Sequence, residues 1–139
     1  MQALAKVLEK GNDMSTEEKV NTISLPVAAD YSSYQYCCVK SVAGVATLCA
    51  SQGEDGIGIL YTNPDTAGKA ATIAMLNGSA VVKVKLGATL AADALVTPEA
   101  TTGRMGAVAT GDYVWGRLKT GGVDGDIVEM YPAPMYVSA

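Results

Sequence analysis

The amino-acid sequence predicts an all-β domain, a small antiparallel barrel or sandwich, preceded by a short N-terminal arm. After residue 21 the apolar segments are short, rich in β-branched residues and separated by Gly, Asn, Asp and Pro. These turn signals recur about every 8–12 residues, as in antiparallel sandwiches and barrels. The alternation of strands and helices that a doubly wound parallel sheet requires is missing.

Length and composition favour one domain with a surface suited to contacts with other proteins. The chain has 139 residues, which suits a single domain with its own core. Aromatic residues are 6% and Phe is absent, so the core must consist of small side chains with Val, Leu and Ile. Charged residues are 17% and the net charge is −4. We therefore expect no nucleic-acid partner, which would need a clustered basic surface, whereas a surface poor in charge suits coverage by other proteins.

The residues that usually carry catalysis and metal binding are scarce. There is no histidine, the commonest general base and metal ligand. The three cysteines, at positions 37, 38 and 49, have neither zinc-ligand spacing nor the even number of a disulfide framework, and we interpret them as small buried hydrophobic residues. The sequence predicts no catalytic residues, no cofactor and no metal, and hence not an enzyme.

The first twenty residues differ from the rest of the chain. Leu4, Val7 and Leu8 recur at helical spacing, flanked by Lys6, Glu9 and Lys10, and Gly11 ends the pattern. Residues 1–20 are predicted to form a partly helical or extended arm, and residues 21–139 the β-domain. Such a narrow apolar stripe needs a surface to lie on. We expect it to reach a neighbouring subunit; the alternative is that it packs on its own domain.

No secretory or membrane segment is visible in the sequence. Residues 1–10 alternate charged and apolar side chains and lack the apolar centre of a signal peptide. No run approaches the roughly 20 apolar residues of a membrane span. We expect synthesis in a reducing cytoplasm and no membrane partner.

Local patterns predict the strands. Residues 34–40 and 45–49 form a hairpin, 56–62 a strand, and 69–76 and 79–86 a second hairpin around Asn77-Gly78, a dipeptide that suits a type I′ turn. Within 79–86, Lys83 and Lys85 share one face while Val82, Val84 and Leu86 share the other. The later strands are predicted at 89–98, 104–109, 113–119 and 126–132.

The glycine-rich stretch after residue 111 is predicted to make turns. Residues 116–122, GRLKTGG, have the glycine spacing of a phosphate-binding loop, but Gly122 replaces its lysine and Val123 its hydroxyl residue. No helical pattern follows that could hold an anion at its N-terminus. The aspartates likewise fall where turns are expected.

Aromatic residues are the candidates for a subunit interface. Tyr31, Tyr34 and Tyr36 cluster at the entry to the β-domain, and Tyr34 and Tyr36 are predicted to share a strand face. Tyrosine suits interfaces because it combines a large area with one polar tip, although ordinary packing within the sheet is the alternative. Trp115 is expected to be partly buried, in the barrel or at a subunit contact.

The order of motifs across residues 31–131 resembles the phage capsid decoration, or cement, proteins. The motifs are IGIL (57–60), NPDTAGKAATI (63–73), GSAVVKVKLG (78–87), AADALVTPEATTGRM (91–105) and GDYVWGRLKTGGVDGDIVEM (111–130). The sequence departs from that family at Ala92, where a glycine is common before the aspartate.

The resemblance implies a mechanical role. Such proteins bind the outside of an expanded phage head and bridge subunits of the major capsid protein, often as homotrimers and sometimes as dimers. It implies a virion protein made in the host cytoplasm. We expect Leu4, Lys6, Val7, Leu8 and Lys10 of the arm to contact the capsid or a neighbour. Two alternatives remain: another virion β-module, such as a tail, spike or glycan-binding domain, and an enzyme of unfamiliar chemistry.

Overall fold

Residues 19–138, the part of the chain described by the computed structural model, fold into ten β-strands and no helix. The all-β prediction is therefore confirmed. Of the predicted arm, only Lys19 and Val20 lie within the described residues, and the candidate contacts Leu4 to Lys10 lie outside them. The strands are β1 (Thr22–Pro26), β2 (Cys38–Val42), β3 (Val45–Leu48), β4 (Gly58–Leu60), β5 (Ala70–Met75), β6 (Val82–Lys85), β7 (Leu95–Pro98), β8 (Met105–Ala107), β9 (Tyr113–Leu118) and β10 (Ile127–Val137).

The strands form two five-stranded antiparallel sheets of the same design. The first has the order β1-β5-β4-β2-β3, and the second has the order β6-β10-β9-β7-β8. Val27, directly after β1, makes a parallel bridge to Ala46 in β3, and Leu86, directly after β6, makes the same bridge to Met105 in β8. Each sheet thus curls until its two edge strands meet. We call β1–β5 the first unit and β6–β10 the second unit.

The likeness of the units extends to single backbone positions. Tyr36 and Asp93 precede equivalent strands, and both have positive φ, 68° and 70°. Their N–H groups donate to equivalent carbonyls, those of Leu60 and Leu118. Because a left-handed backbone is uncommon outside glycine, its recurrence at matched positions shows that the second unit repeats the first.

The cores of the units also correspond. The first core contains Tyr31 and a ring of aliphatic residues, Val27, Val39, Ala46, Leu60, Ala71 and Ile73. Strand registers place Leu86, Val96, Met105, Leu118, Val128 and Met130 of the second unit at the positions of those aliphatic residues, and all are buried. Side-chain volumes differ at equivalent positions: where the first unit has Ala46 and Ala71, the second has Met105 and Val128.

The hairpin predicted around Asn77-Gly78 is wrong. The turn itself is present, with φ of 89° at Gly78, but β5 lies in the first sheet and β6 in the second. β5 already has β1 and β4 on its two sides, so β6 pairs with β10 instead. The Asn-Gly turn therefore links the two units. The alternation within 82–86 is confirmed, because Val82, Val84 and Leu86 are fully buried and Lys83 is exposed.

Several strand bounds also differ from the prediction. The 38–48 hairpin is confirmed, but residues 34–37 form a turn, so Tyr34 and Tyr36 do not share a strand face. The strand predicted at 89–98 begins only at Leu95, and β10 continues past residue 132 to Val137. β1 was not predicted, because it is an edge strand whose side chains are mostly exposed and show no alternation.

Candidate contact surface

The two units meet through the outer face of the first sheet. Cys38, Ile59 and Ala74 lie side by side across β2, β4 and β5, and all three are fully buried. They belong to one buried cluster with residues of the second unit, and the sulfur atoms of Cys38 and Met105 are 3.7 Å apart. We call Cys38, Ile59 and Ala74 the covered row.

Hydrogen bonds between the units fix this arrangement. The indole N–H of Trp115 donates to the carbonyl of Glu54 at 3.0 Å, and the Lys85 N–H donates to the carbonyl of Tyr36 at 2.9 Å. The Cys38 N–H donates to the carbonyl of Gly103 at 2.7 Å. Trp115 is fully buried, not partly buried as the sequence suggested, because Gly56 of the first unit lies against its ring.

The tyrosine cluster at the domain entry packs internally. Tyr31 is buried, its ring meets Tyr34 edge to face at 5.9 Å, and its hydroxyl accepts a hydrogen bond from the Leu48 N–H. Tyr36 is half-buried and meets Tyr61 edge to face at 5.4 Å. These contacts account for the tyrosines as packing residues, and a role at a subunit interface stays a prediction.

The face of the sheet that is buried in the first unit is largely exposed in the second unit. Strand register places Leu95, Arg117 and Tyr131 at the positions of Cys38, Ile59 and Ala74. Arg117 is exposed and 44% of Tyr131 is accessible, whereas the covered row is inaccessible. We call Leu95, Arg117 and Tyr131 the open row.

Neighbouring side chains extend the open row into a mixed apolar and charged surface. Ile127, with 49% of its area accessible, lies opposite Lys85 on the same face of the sheet. Arg117 Nη1 donates to the carbonyl of Asp93, just before β7, at 2.9 Å, and on its other side Arg117 is paired in the strand register with Tyr131 of β10. Tyr and Arg are the residues most enriched at binding hot spots. This surface was not predicted, although the alternation of Ile127 and Tyr131 with buried Val128 and Met130 could have indicated it.

The cysteines lie in the interior with neutral thiols. Burial raises the pKa of Cys37 to about 11 and that of Cys49 to about 12, and it raises the pKa of Cys38 well above the ordinary range. All three are free, and they occupy apolar positions as the sequence indicated. Among residues 19–138, no three His, Cys, Asp or Glu side chains converge on a point that could hold a metal ion. No helix long and apolar enough to cross a membrane occurs in that range.

Glu54 is the best-connected carboxylate next to the boundary between the units. Its Oε2 lies 2.8 Å from Lys40 Nζ, and its Oε1 accepts hydrogen bonds from the backbone N–H groups of Ala50 and Ser51. Burial raises the pKa of Glu54, but these donors outweigh it, so the pKa lies below its usual value. The carboxylate orders the loop whose carbonyl binds Trp115.

Comparison with known proteins shows a likeness in the fold. No protein-family model matches the sequence. No curated protein matches it either. The structure is similar to the crystal structure of the N base of head fiber gp8.5 of bacteriophage phi29, with a TM-score of 0.66 and 13% sequence identity. The match covers 82% of this chain and 94% of that one. The chain therefore shares its fold with a structural protein of a phage head.

Proposed function

We propose that this chain is a capsid decoration protein that binds the outside of an expanded phage head and stabilises contacts between major capsid protein subunits. The observation that carries the proposal is the fold shared with the base of a phage head fiber over 94% of that base. The sequence motifs of residues 57–130, which resemble cement proteins, support the same role. The task is mechanical, and we assign no catalytic residue.

The open row supports a subunit contact. In the first unit the equivalent surface is buried by another unit of the same fold, so this face of the sheet is one that packs. In the second unit it carries Arg117 and Tyr131, which suit a protein–protein interface better than solvent. We propose a homo-oligomer, with a trimer favoured over a dimer, in which the open row contacts a neighbouring subunit or the capsid.

Binding would stabilise the mature shell by linkage. A protein that binds only the expanded state lowers the free energy of that state relative to the unexpanded one. A standard interface buries about 800 Å² on each partner. An oligomer that holds several capsid subunits at once multiplies weak contacts into avidity.

Co-sedimentation with capsids tests this function. Purified protein is mixed with expanded, undecorated capsids of its own virus and, in parallel, with unexpanded procapsids. Saturable binding to the expanded shell alone is expected, and its copy number gives the symmetry of the site. Binding to neither shell would overturn the proposal and favour a tail, spike or glycan-binding module.

A second candidate function follows from the structural neighbour. That protein is named as the base of a head fiber, so this chain could anchor a fiber to a capsid and not only clamp its surface. Electron microscopy of native virions, with the protein located by antibody, separates the two. Fibers that project from the labelled positions would favour the role of a fiber base. A labelled shell without fibers would favour the role of a decoration protein that clamps the surface.

A further inference from the structure

An apolar groove opens between the two units on the side where the described chain begins. Its volume is about 480 Å³, within the range of pockets that hold small ligands. Ile57, Met75 and Leu76 of the first unit line it together with Pro132 and Met135 of β10. None of the lining residues is charged, and Met75, Leu76 and Met135 are each only partly buried.

The N-terminal part of the chain starts at the rim of this groove. The Ala80 N–H donates to the carbonyl of Lys19 at 2.7 Å, and the Asn21 N–H donates to Ser79 Oγ at 2.9 Å. Met75, which lines the groove, donates its N–H to the carbonyl of Asn21 at 2.7 Å. Whatever precedes Lys19 therefore leaves the domain directly beside the groove.

We infer that the apolar stripe Leu4, Val7 and Leu8 of the same chain occupies this groove. Residues 1–18 lie outside the described structure, and their one apolar stripe needs a surface to cover it. The groove offers an uncharged surface with partly exposed methionines, which adapt their shape to an incoming side chain. Docking would cover both apolar surfaces in one step.

The tether is long enough and favours the chain's own domain. Ten residues, 9–18, separate Leu8 from Lys19 and can span up to about 33 Å when extended. A short tether gives an effective concentration of about millimolar, which a separate subunit does not match at ordinary protein concentrations. Lys6 and Lys10 do not belong to the apolar stripe, so this placement leaves them available to a capsid partner, and it does not depend on the proposed decoration role.

Disulfide trapping in the full-length chain tests the placement. The double variant Leu8→Cys/Met135→Cys puts one thiol on the stripe and one in the groove, while the three native thiols are buried and slow to react. The first control, Glu9→Cys/Met135→Cys, moves the arm thiol off the stripe. The second, Leu8→Cys/Val42→Cys, moves the domain thiol to the exposed tip of the β2–β3 hairpin.

The stripe–groove pair should form an intrachain disulfide at least about tenfold faster than either control, because docking raises the local thiol concentration. Equal rates for the three pairs would overturn the inference. A disulfide found mainly between chains on a non-reducing gel would also overturn it, in favour of arm exchange between subunits. Trp115 emission confirms folding, and Ala133→Cys, at another lining position of the groove, replaces Met135→Cys should that variant unfold.

Discussion

Trp115 in β9 donates its indole N–H to the carbonyl of Glu54 across the boundary between the two units, at 3.0 Å. Glu54 in turn is held by Lys40 and by two backbone N–H groups. One side chain of the second unit is thereby fixed on a loop of the first whose own geometry depends on a carboxylate.

Trp115→Phe should destabilise the protein by about 1–3 kcal/mol, because the Glu54 carbonyl loses its donor in a partly buried site. Urea unfolding followed by circular dichroism measures the change. The matched control is Tyr136→Phe, an exposed aromatic residue of β10, which should stay within about 0.5 kcal/mol of the parent. Equal effects of the two substitutions would mean that the indole bond contributes nothing.

Gly58→Ala and Gly116→Ala should destabilise the two units in the same way. The two glycines occupy equivalent positions in the central strands β4 and β9, and an added methyl group would meet the carbonyl of Ala74 or of Tyr131. We expect a loss of about 1–3 kcal/mol for each, as for other overpacked sites. Ser41→Ala, on an exposed position of β2, is the control, and thermal unfolding of the three variants measures the effect.

Acid should unfold the protein through Glu54. Its pKa is lower in the folded state than its ordinary value of 4.5, so its contribution to stability is present above about pH 4.5 and is lost as the pH falls further. Glu54→Gln should reduce stability at pH 7 and flatten its dependence between pH 5 and pH 3. Asp55→Asn, an exposed neighbour, is the control. An unchanged pH dependence in Glu54→Gln would show that other carboxylates dominate acid unfolding.

The cysteines should be almost inert until the protein unfolds. At pH 8 a thiol with a pKa of about 11, as Cys37 has, carries a thiolate fraction about 100-fold smaller than a thiol with the ordinary pKa of 9.0, and burial also blocks access. Because folding favours the neutral thiols, their contribution to stability is present below about pH 9 and is lost as the pH rises through 11 and 12. Reaction with Ellman's reagent in native buffer and in guanidinium measures this. Fast native labelling would contradict the burial of all three.

The open row should govern association without affecting the fold. Arg117→Ala combined with Tyr131→Ala should weaken self-association or capsid binding by at least about tenfold while leaving the unfolding midpoint nearly unchanged. Val42→Ala, 51% accessible on the far hairpin, is the matched control. Analytical ultracentrifugation and the capsid assay measure the two effects, and unchanged binding in both would remove the open row from the interface.

The sequence predicted the parts of the fold that depend on neighbours along the chain. The β2–β3 hairpin and the alternation in 82–86 needed only local turn chemistry and a period of two. The hairpin predicted around Asn77-Gly78 was wrong, because the choice of β10 as the partner of β6 depends on residues far along the chain. The repeat was invisible for a similar reason: Ala46 corresponds to Met105 and Ile59 to Arg117, so equivalent positions share backbone geometry and not residue type.

The candidate site was harder to predict than the fold. Tyr31, Tyr34 and Tyr36 were conspicuous in the sequence, but Tyr31 packs against Tyr34, and Tyr36 packs against Tyr61. Arg117 and Tyr131 became candidates only when the register placed them side by side. An interface depends on which face of a strand is left uncovered, and that follows from the packing of the two units.

Equivalent positions in the two units should differ in the substitutions that they tolerate. In a saturation library scored for folding alone, charged residues at Ile59 and Ala74 should disappear, while almost any residue should survive at their equivalents Arg117 and Tyr131. When the same library is scored for growth of the virus, both pairs of positions should tolerate few residue types. Subtracting the first profile from the second would map the partner's footprint on this protein without a structure of the complex.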